Sequence, residues 1–167
     1  MKKLMKRHWM ALALALFTLP LFAQINVGGG LSFGTEIENI GITAKATYGI
    51  DDQWEGGASF TYFLPKSFGP VDWTFWAINL DAHYLKNVSD KFTIYPLAGL
   101  NIGGITIDSD SFGGFNPGST TNTEIGVNIG GGAYLNISEK LKGFGEIKYV
   151  IGGFDQLTLG AGVLFSL

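Results

Sequence analysis

Leu157-Thr158-Leu159-Gly160-Ala161-Gly162-Val163-Leu164-Phe165-Ser166-Leu167 closes the chain, and its odd positions are apolar without exception. The even positions, Thr158, Gly160, Gly162, Leu164 and Ser166, are mostly small or polar. Period two with one greasy face marks a strand half-buried in something apolar. One such strand fits any covered sheet. Repeated along the chain behind an export signal, it fits a barrel wall that faces lipid.

Seven further segments repeat the pattern. Ile25, Val27, Leu31 and Phe33 form the greasy side of the first, and Ile40, Ile42, Ala44, Ala46 and Tyr48 that of the second. Trp54, Ala58, Phe60 and Tyr62 follow, then Trp76, Ile78, Leu80, Ala82 and Tyr84. Residues 92–103 carry Phe92, Ile94, Ala98, Leu100 and Ile102 on one side, and residues 124–135 carry Ile125, Val127, Ile129, Ala133 and Leu135. In residues 144–151, Ile147, Tyr149 and Ile151 oppose Phe144, Glu146 and Lys148. Pro96 has no N–H to give a ladder, so a bulge or strand end is expected nearby.

Eight segments of about 9–11 residues suit tilted membrane strands, and an even number closes an antiparallel wall with both ends on one side. The expected fold is therefore all-β, an eight-stranded antiparallel up-and-down transmembrane barrel. Connections alternate in character: 50–53, 86–91 and 137–141 are tight and polar, 65–72 and 108–122 are longer, and 36–39 and 152–155 are short exceptions. The tight set is assigned to the periplasm and the longer set to the outside. Tyr48, Trp54, Tyr84, Phe92 and Phe165 gather near the tight turns, with Phe33, Tyr62, Trp76 and Tyr149 near the opposite ends, as interfacial girdles would.

Composition agrees once the hydrophobicity is seen to be dispersed. The 167 residues are 46% hydrophobic with mean hydropathy +0.23, yet beyond the N-terminus no apolar run approaches the roughly 20 residues of a membrane helix. The 25 glycines suit crowded inward positions. With no cysteine there is no disulfide framework and no thiolate metal site.

The N-terminus reads as an export signal over residues 1–23, leaving residues 24–167 as the barrel domain. Lys2, Lys3, Lys6 and Arg7 precede an apolar stretch from Trp9 to Leu19, and Pro20-Leu21-Phe22-Ala23 leads to a cut before Gln24. An uncleaved membrane anchor is the alternative, and the stretch is short for it. Cleavage removes 4 of 11 basic residues and leaves 7 lysines against 14 acids. No basic patch is left to neutralise phosphates, which argues against a nucleic-acid partner.

The segments YPLAGLNIGG (Tyr95–Gly104), GVNIGGGAYLNISEKLKGFGEIKY (Gly126–Tyr149) and LGAGVLFSL (Leu159–Leu167) make the mature chain resemble the small eight-stranded outer-membrane barrels of the OmpA/OmpX type, in the outer-membrane β-barrel domain family of Gram-negative bacteria. The resemblance implies Sec export, an outer-membrane location, lipid and lipopolysaccharide as surroundings, and a monomer. It also implies that the terminal strand is read by the barrel-assembly machinery through Gly162, Phe165 and Leu167, with leucine last where phenylalanine is commoner.

The inward face collects Lys45, Glu55, Asp81, His83, Glu124, Glu146 and Lys148. Charges off water need partners, so these are expected to form a polar plug in a lumen that eight strands leave just wide enough for side chains. Glu146 with Lys148, two apart on one face, and Lys45 with Glu55, across one hairpin, are the pairs expected from spacing. Acids outnumber lysines in this set, so at least one carboxylate is expected to hold a raised pKa or bind water.

No catalytic residues, cofactor or resident metal are expected. His83 with Asp81 invites comparison with barrel enzymes that act on lipid A, but a serine nucleophile open to lipid is missing from the pattern. Gly28-Gly29-Gly30 and Gly130-Gly131-Gly132 lack a phosphate-loop lysine and lie inside strands. The outer loops are acidic, with Glu36, Glu38, Asp72, Asp108, Asp110 and Asp155 against Lys66. Asp108-Ser109-Asp110 could gather a divalent cation, and Phe112 and Phe115 could form a contact patch beside the Asn116-Pro117-Gly118 turn. The expected function is a non-enzymatic, plugged outer-membrane barrel with a structural or surface-interaction role. The alternatives are a narrow channel or transporter of small hydrophobic molecules, and a soluble lipocalin-like barrel whose faces would be reversed.

Overall fold

The computed structural model describes residues 25–68, 71–109 and 119–167, with the side chains of residues 68, 71, 108, 109 and 119 left aside. The leader expected over residues 1–23, and with it Asp110, Phe112, Phe115 and Asn116-Pro117-Gly118, lie outside the described residues.

Ten strands make one sheet: β1 (Ile25–Gly34), β2 (Asn39–Gly49), β3 (Trp54–Phe63), β4 (Lys66–Phe68), β5 (Val71–Tyr84), β6 (Lys86–Asn87), β7 (Phe92–Ser109), β8 (Ser119–Asn136), β9 (Leu141–Ile151) and β10 (Gln156–Ser166). Eight of them are staves of a closed antiparallel wall, since β1 pairs with both β2 and β10, and β5 joins β3 to β7. The short β4 and β6 continue the lines of β3 and β5. The closing seam runs from Asn26↔Ser166 to Gly34↔Thr158, so the terminal strand meets the first as its alternation predicts. With no free edge in the band, every backbone group there has a neighbour.

The two faces sort as the alternation requires. Leu31, Ile42, Leu80, Leu100, Ile129 and Ile147 stand outward and at least half exposed, forming an apolar band. Asn26, Thr43, Lys45, Glu55, Thr61, Asn79, Asp81, His83, Asn101, Asn128 and Lys148 face inward and are buried. This is the reverse of a soluble ligand-binding barrel, and it removes the lipocalin-like alternative. The turns that join β2 to β3, β5 to β7 and β8 to β9 are tight: Ile50 N donates to Trp54 O at 2.8 Å, Val88 N to Phe92 O at 2.9 Å and Ile137 N to Leu141 O at 2.9 Å. In the first of them Asp51 Oδ1 also accepts from the backbone of Gln53 and Trp54, the local bonding that makes aspartate a turn residue.

Pro96 causes a strand end, but in its neighbour. β7 runs through Pro96, paired with Gly131 of β8, while on the other side β5 stops at Tyr84 and β6 resumes at Lys86. The gap falls beside the position where proline has no N–H to offer, while on the opposite edge Leu85 N continues the ladder to β3 by donating to Gln53 O at 2.6 Å.

Two sequence expectations change at the outer end. β7 and β8 are 18 residues each and remain paired up to Asp108↔Ser119, so both flanks of the expected 108–122 loop, residues 108–109 and 119–122, belong to strands of a ribbon. Similarly, part of the 65–72 connection is a hairpin, Lys66↔Trp73 to Phe68↔Val71. The ribbon escaped the pattern reading because hydropathy changes phase along it. Below Trp76 and Gly104 the outward residues are apolar, whereas above them the outward positions hold Asp72, Thr74, Thr106, Thr121 and Thr123, and the mouth-facing ones hold Trp73, Phe75, Ile105 and Ile107 on β5 and β7 but Thr120 and Asn122 on β8. Thr106 and Thr121 hydrogen-bond across the ladder at 3.1 Å on the outward, watered face. The phase change marks where lipid ends.

Candidate functional site

The lumen fills in layers, beginning at the tight-turn end. Asn26 donates to Thr47 Oγ1 at 3.1 Å and accepts from Ser166 Oγ at 2.7 Å, tying β2, β1 and β10 together. Above this floor, Glu55 and His83 are register partners on β3 and β5. A carboxylate only accepts, so the proton of a neutral His83 sits on Nδ1 and is given to Glu55 Oε1 at 3.0 Å. Tyr134 OH donates to the same oxygen at 2.5 Å, and Lys142 Nζ reaches Glu55 Oε2 at 3.3 Å while lying 4.1 Å from the Tyr134 ring centre.

Aromatic rings carry this layer into the next. His83 stacks on Tyr95 at 4.6 Å and 21°, and Tyr95 lies 4.6 Å from Tyr134. Tyr95 OH donates to Glu146 Oε1 at 2.8 Å, and the same oxygen is paired with Lys45 Nζ. Rings of this size fit because glycine stands against them: a Cβ on Gly132 would meet the Tyr95 ring, and one on Gly57 the His83 ring. Lys148 Nζ then binds Asp81 Oδ2 at 3.1 Å, with Asn128 Nδ2 on Asp81 Oδ1 at 2.7 Å and on Asn79 Oδ1 at 3.0 Å. Asn101 Nδ2 also donates to Asn79 Oδ1, at 2.7 Å.

A hydroxyl chain, Ser32–Thr43–Thr61, follows, each step 2.8 Å. A cavity of about 20 Å³ bounded by Lys45, Lys148, Thr61 and Gln156 lies at this level, room for about one water. The outer end is mostly apolar: Phe63 and Ile37 converge on Gly34 with buried Val150 beside them, and the Gln156 side chain is the polar group among them. Phe75 and Phe154 meet edge-on at 6.0 Å above.

The pairing differs from what spacing alone suggested. Lys45 faces Ser59 in the β2–β3 register and Glu55 faces Gly49, which sets the two charges apart along the hairpin. Lys45 instead crosses the lumen to Glu146, and Lys148 crosses to Asp81 instead of joining Glu146 beside it. All three lysine–carboxylate pairs within the lumen bring β9 against a strand on the far wall: Lys142 with β3, Glu146 with β2 and Lys148 with β5. A tilted sheet curled into a cylinder makes such contacts; a flat one cannot.

Six of the seven expected interior residues join this network. Glu124 does not: it is half-buried at the outer rim, where Asn122 Nδ2 donates to it at 3.3 Å. Lys142 is the residue sequence reading missed. With it in and Glu124 out, three lysines meet three carboxylates, and the expected excess of acid disappears. His83 is fully buried with Nε2 unbonded, 4.0 Å from Glu146 Oε1, and its hydrogen-bond partners are Glu55 and Tyr134. No group of three or more metal-ligating side chains occurs among the described residues.

Of the three terminal positions expected to form an assembly signal, Phe165 and Leu167 project outward, 52% and 82% exposed. Gly162 faces the lumen, where a Cβ would strike Gly30 of β1 and the Phe144 ring, a packing requirement separate from any recognition.

The profile of a family described as outer membrane protein beta-barrel domain matches residues 10–165. No curated protein matches in sequence. Among solved structures, the fold is similar to the N-terminal β-barrel domain of Pseudomonas aeruginosa OprF, with 18% identity, TM-score 0.67, and 87% of this chain and 96% of that one covered. It is also similar to Ail, the attachment invasion locus protein of Yersinia pestis, with 17% identity, TM-score 0.61 and coverage of 87% and 97%. For Neisserial surface protein A the values are 15%, 0.59, 87% and 96%.

Proposed function

Because this chain belongs to the outer membrane protein β-barrel domain family, we propose that it is a sealed, non-enzymatic outer-membrane barrel whose work is done at the cell surface. The observation that carries the reading is the lumen: three cross-lumen ion pairs and a His83–Tyr95–Tyr134 stack fill it below an apolar cap. His83 lacks access to lipid or solvent, which supports the non-enzymatic part. The ribbon of β4, β5, β7 and β8 that rises past the lipid band supports the surface role, since it adds nothing to closure.

In this reading the chain is exported by the Sec pathway, loses residues 1–23, is inserted by the barrel-assembly machinery through Gly162, Phe165 and Leu167, and stands as a monomer among lipopolysaccharide. Ail has been solved with the heparin analogue sucrose octasulfate. A polyanion is a poor match for the acidic outer rim here, so the partner chemistry differs.

Planar-bilayer recording of the purified barrel tests the seal. The expected trace is flat at physiological salt. Steady conductance steps would replace this reading with the narrow channel, for which the small polar cavity beneath the cap is the favouring observation.

A further inference from the structure

The outer mouth is lopsided. Residues 35–38 and 152–155 turn back low on one side, while β4, β5, β7 and β8 rise opposite them as a four-stranded sheet. The mouth-facing side of that sheet carries Trp73, Phe75, Ile105 and Ile107 on β5 and β7, with Lys66 beside Trp73 on β4, Thr120 and Asn122 on β8, and Phe154 of the low lip edge-on against Phe75. Trp73 is 38% exposed, and Phe75, Ile105 and Ile107 are half-buried. The low lip is acidic, with Glu36, Glu38 and Asp155 exposed and Glu124 half-buried at the foot of the tall side. Among the described residues, Lys66 is the one lysine or arginine at this end, and its Nζ lies 3.7 Å from Glu38 Oε2.

We propose that this mouth docks a cationic amphipathic peptide segment, with its apolar side on Trp73, Ile105 and Ile107 and its lysine or arginine groups over Glu36, Glu38 and Asp155. The apolar face alone would accept any greasy surface. The exposed carboxylates of the low lip repel phosphates and acidic proteins and favour cations, so charge complementarity selects the occupant. One cation against four acids leaves the lip negative even with Lys66 engaged. The inference rests on the surface-interaction reading and gives it a partner chemistry.

The test uses the full barrel in phosphatidylcholine nanodiscs and a fluorescent synthetic peptide of alternating lysine and leucine blocks, read by anisotropy against empty nanodiscs. A glutamate/leucine peptide and a lysine/serine peptide serve as controls. The lysine/leucine peptide is expected to bind at least about tenfold more tightly than either control. Glu36→Gln/Glu38→Gln/Asp155→Asn and, separately, Trp73→Ser/Ile107→Ser are each expected to weaken it by about tenfold. Glu36→Gln/Glu38→Gln alters only exposed side chains and retains the comparison should a larger set fail to fold. Equal binding of the lysine/serine peptide, undiminished binding to the folded variants, or no binding beyond empty nanodiscs would overturn the proposal. None of these results touches the seal, which conductance alone decides.

Discussion

Lys45 on β2 and Glu146 on β9 are 101 residues apart in sequence and form an ion pair across the barrel lumen, each side chain less than a tenth exposed. Two charges this far from water depend on each other, so truncating one leaves the other stranded. Lys45→Met is expected to destabilise the barrel by about 3 kcal/mol and Glu146→Leu by a similar amount. The double variant should recover more than about 1 kcal/mol of their sum. Urea titration of tryptophan fluorescence in detergent micelles measures all three, and additive losses would show that the pair is uncoupled.

Glu55 offers a graded version. Glutamine retains a carbonyl oxygen for His83 Nδ1 and Tyr134 OH, and Lys142, 16% exposed by side chain, can turn toward water at the tight-turn end. Glu55→Gln should cost about 1 kcal/mol and Glu55→Leu about 3 kcal/mol in the same titration, because leucine orphans two buried donors as well.

Gly132 lies against the Tyr95 ring, where even a methyl group overlaps it. Gly132→Val is expected to slow or abolish the heat-modifiable gel shift that marks a folded barrel, at a cost of about 1–3 kcal/mol. Gly132→Val with Tyr95→Ala should fold better than Gly132→Val alone, since the second change supplies the missing space. No rescue would place the cause elsewhere in the strand.

Leu100 and Thr106 stand on the same side of β7 but on opposite sides of the hydropathy change. Leu100 is 55% exposed within the apolar band, whereas Thr106 hydrogen-bonds to Thr121 on the watered ribbon. Leu100→Arg should cost about 2–4 kcal/mol and Thr106→Arg about 0–1 kcal/mol. Equal costs would move the membrane boundary.

Hydrogen exchange in nanodiscs should show the same boundary. Amides of Thr120–Thr123, where β8 has β7 beside it and no β9, should exchange at least about a hundredfold faster than those of Asn128–Tyr134, paired on both sides.

Most of the wall was legible from alternation, because a one-residue slip would turn every side chain to the other face. Leu157, Leu159, Val163 and Phe165 could face only one way. What alternation does not encode is which inward residue meets which across a lumen. That depends on strand tilt and curvature, so Lys45 looked as if it should meet Glu55 and not Glu146. Lys142 sits at the start of β9 beside a turn, and position made it look like surface. Glu124 has the inward phase but lies above the lipid, where phase no longer tells lumen from mouth. Tyr95 and Tyr134 lay on the inner face of the pattern, yet nothing in single-strand periodicity shows that they would stack around a histidine.

The convergence on β9 has a kinetic side. A hairpin of β8 and β9 exposes Lys142, Glu146 and Lys148 with no partner, because those partners belong to β2, β3 and β5. Until the cylinder rounds up, each half of the chain holds the counter-charges the other lacks, and an open curved sheet in hydrocarbon gains nothing from adding one more stave. Neutralisation and closure are therefore one event. The barrel should insert as an all-or-none transition with long-range contacts formed late, which makes its rate sensitive to anything that brings the first and last strands together.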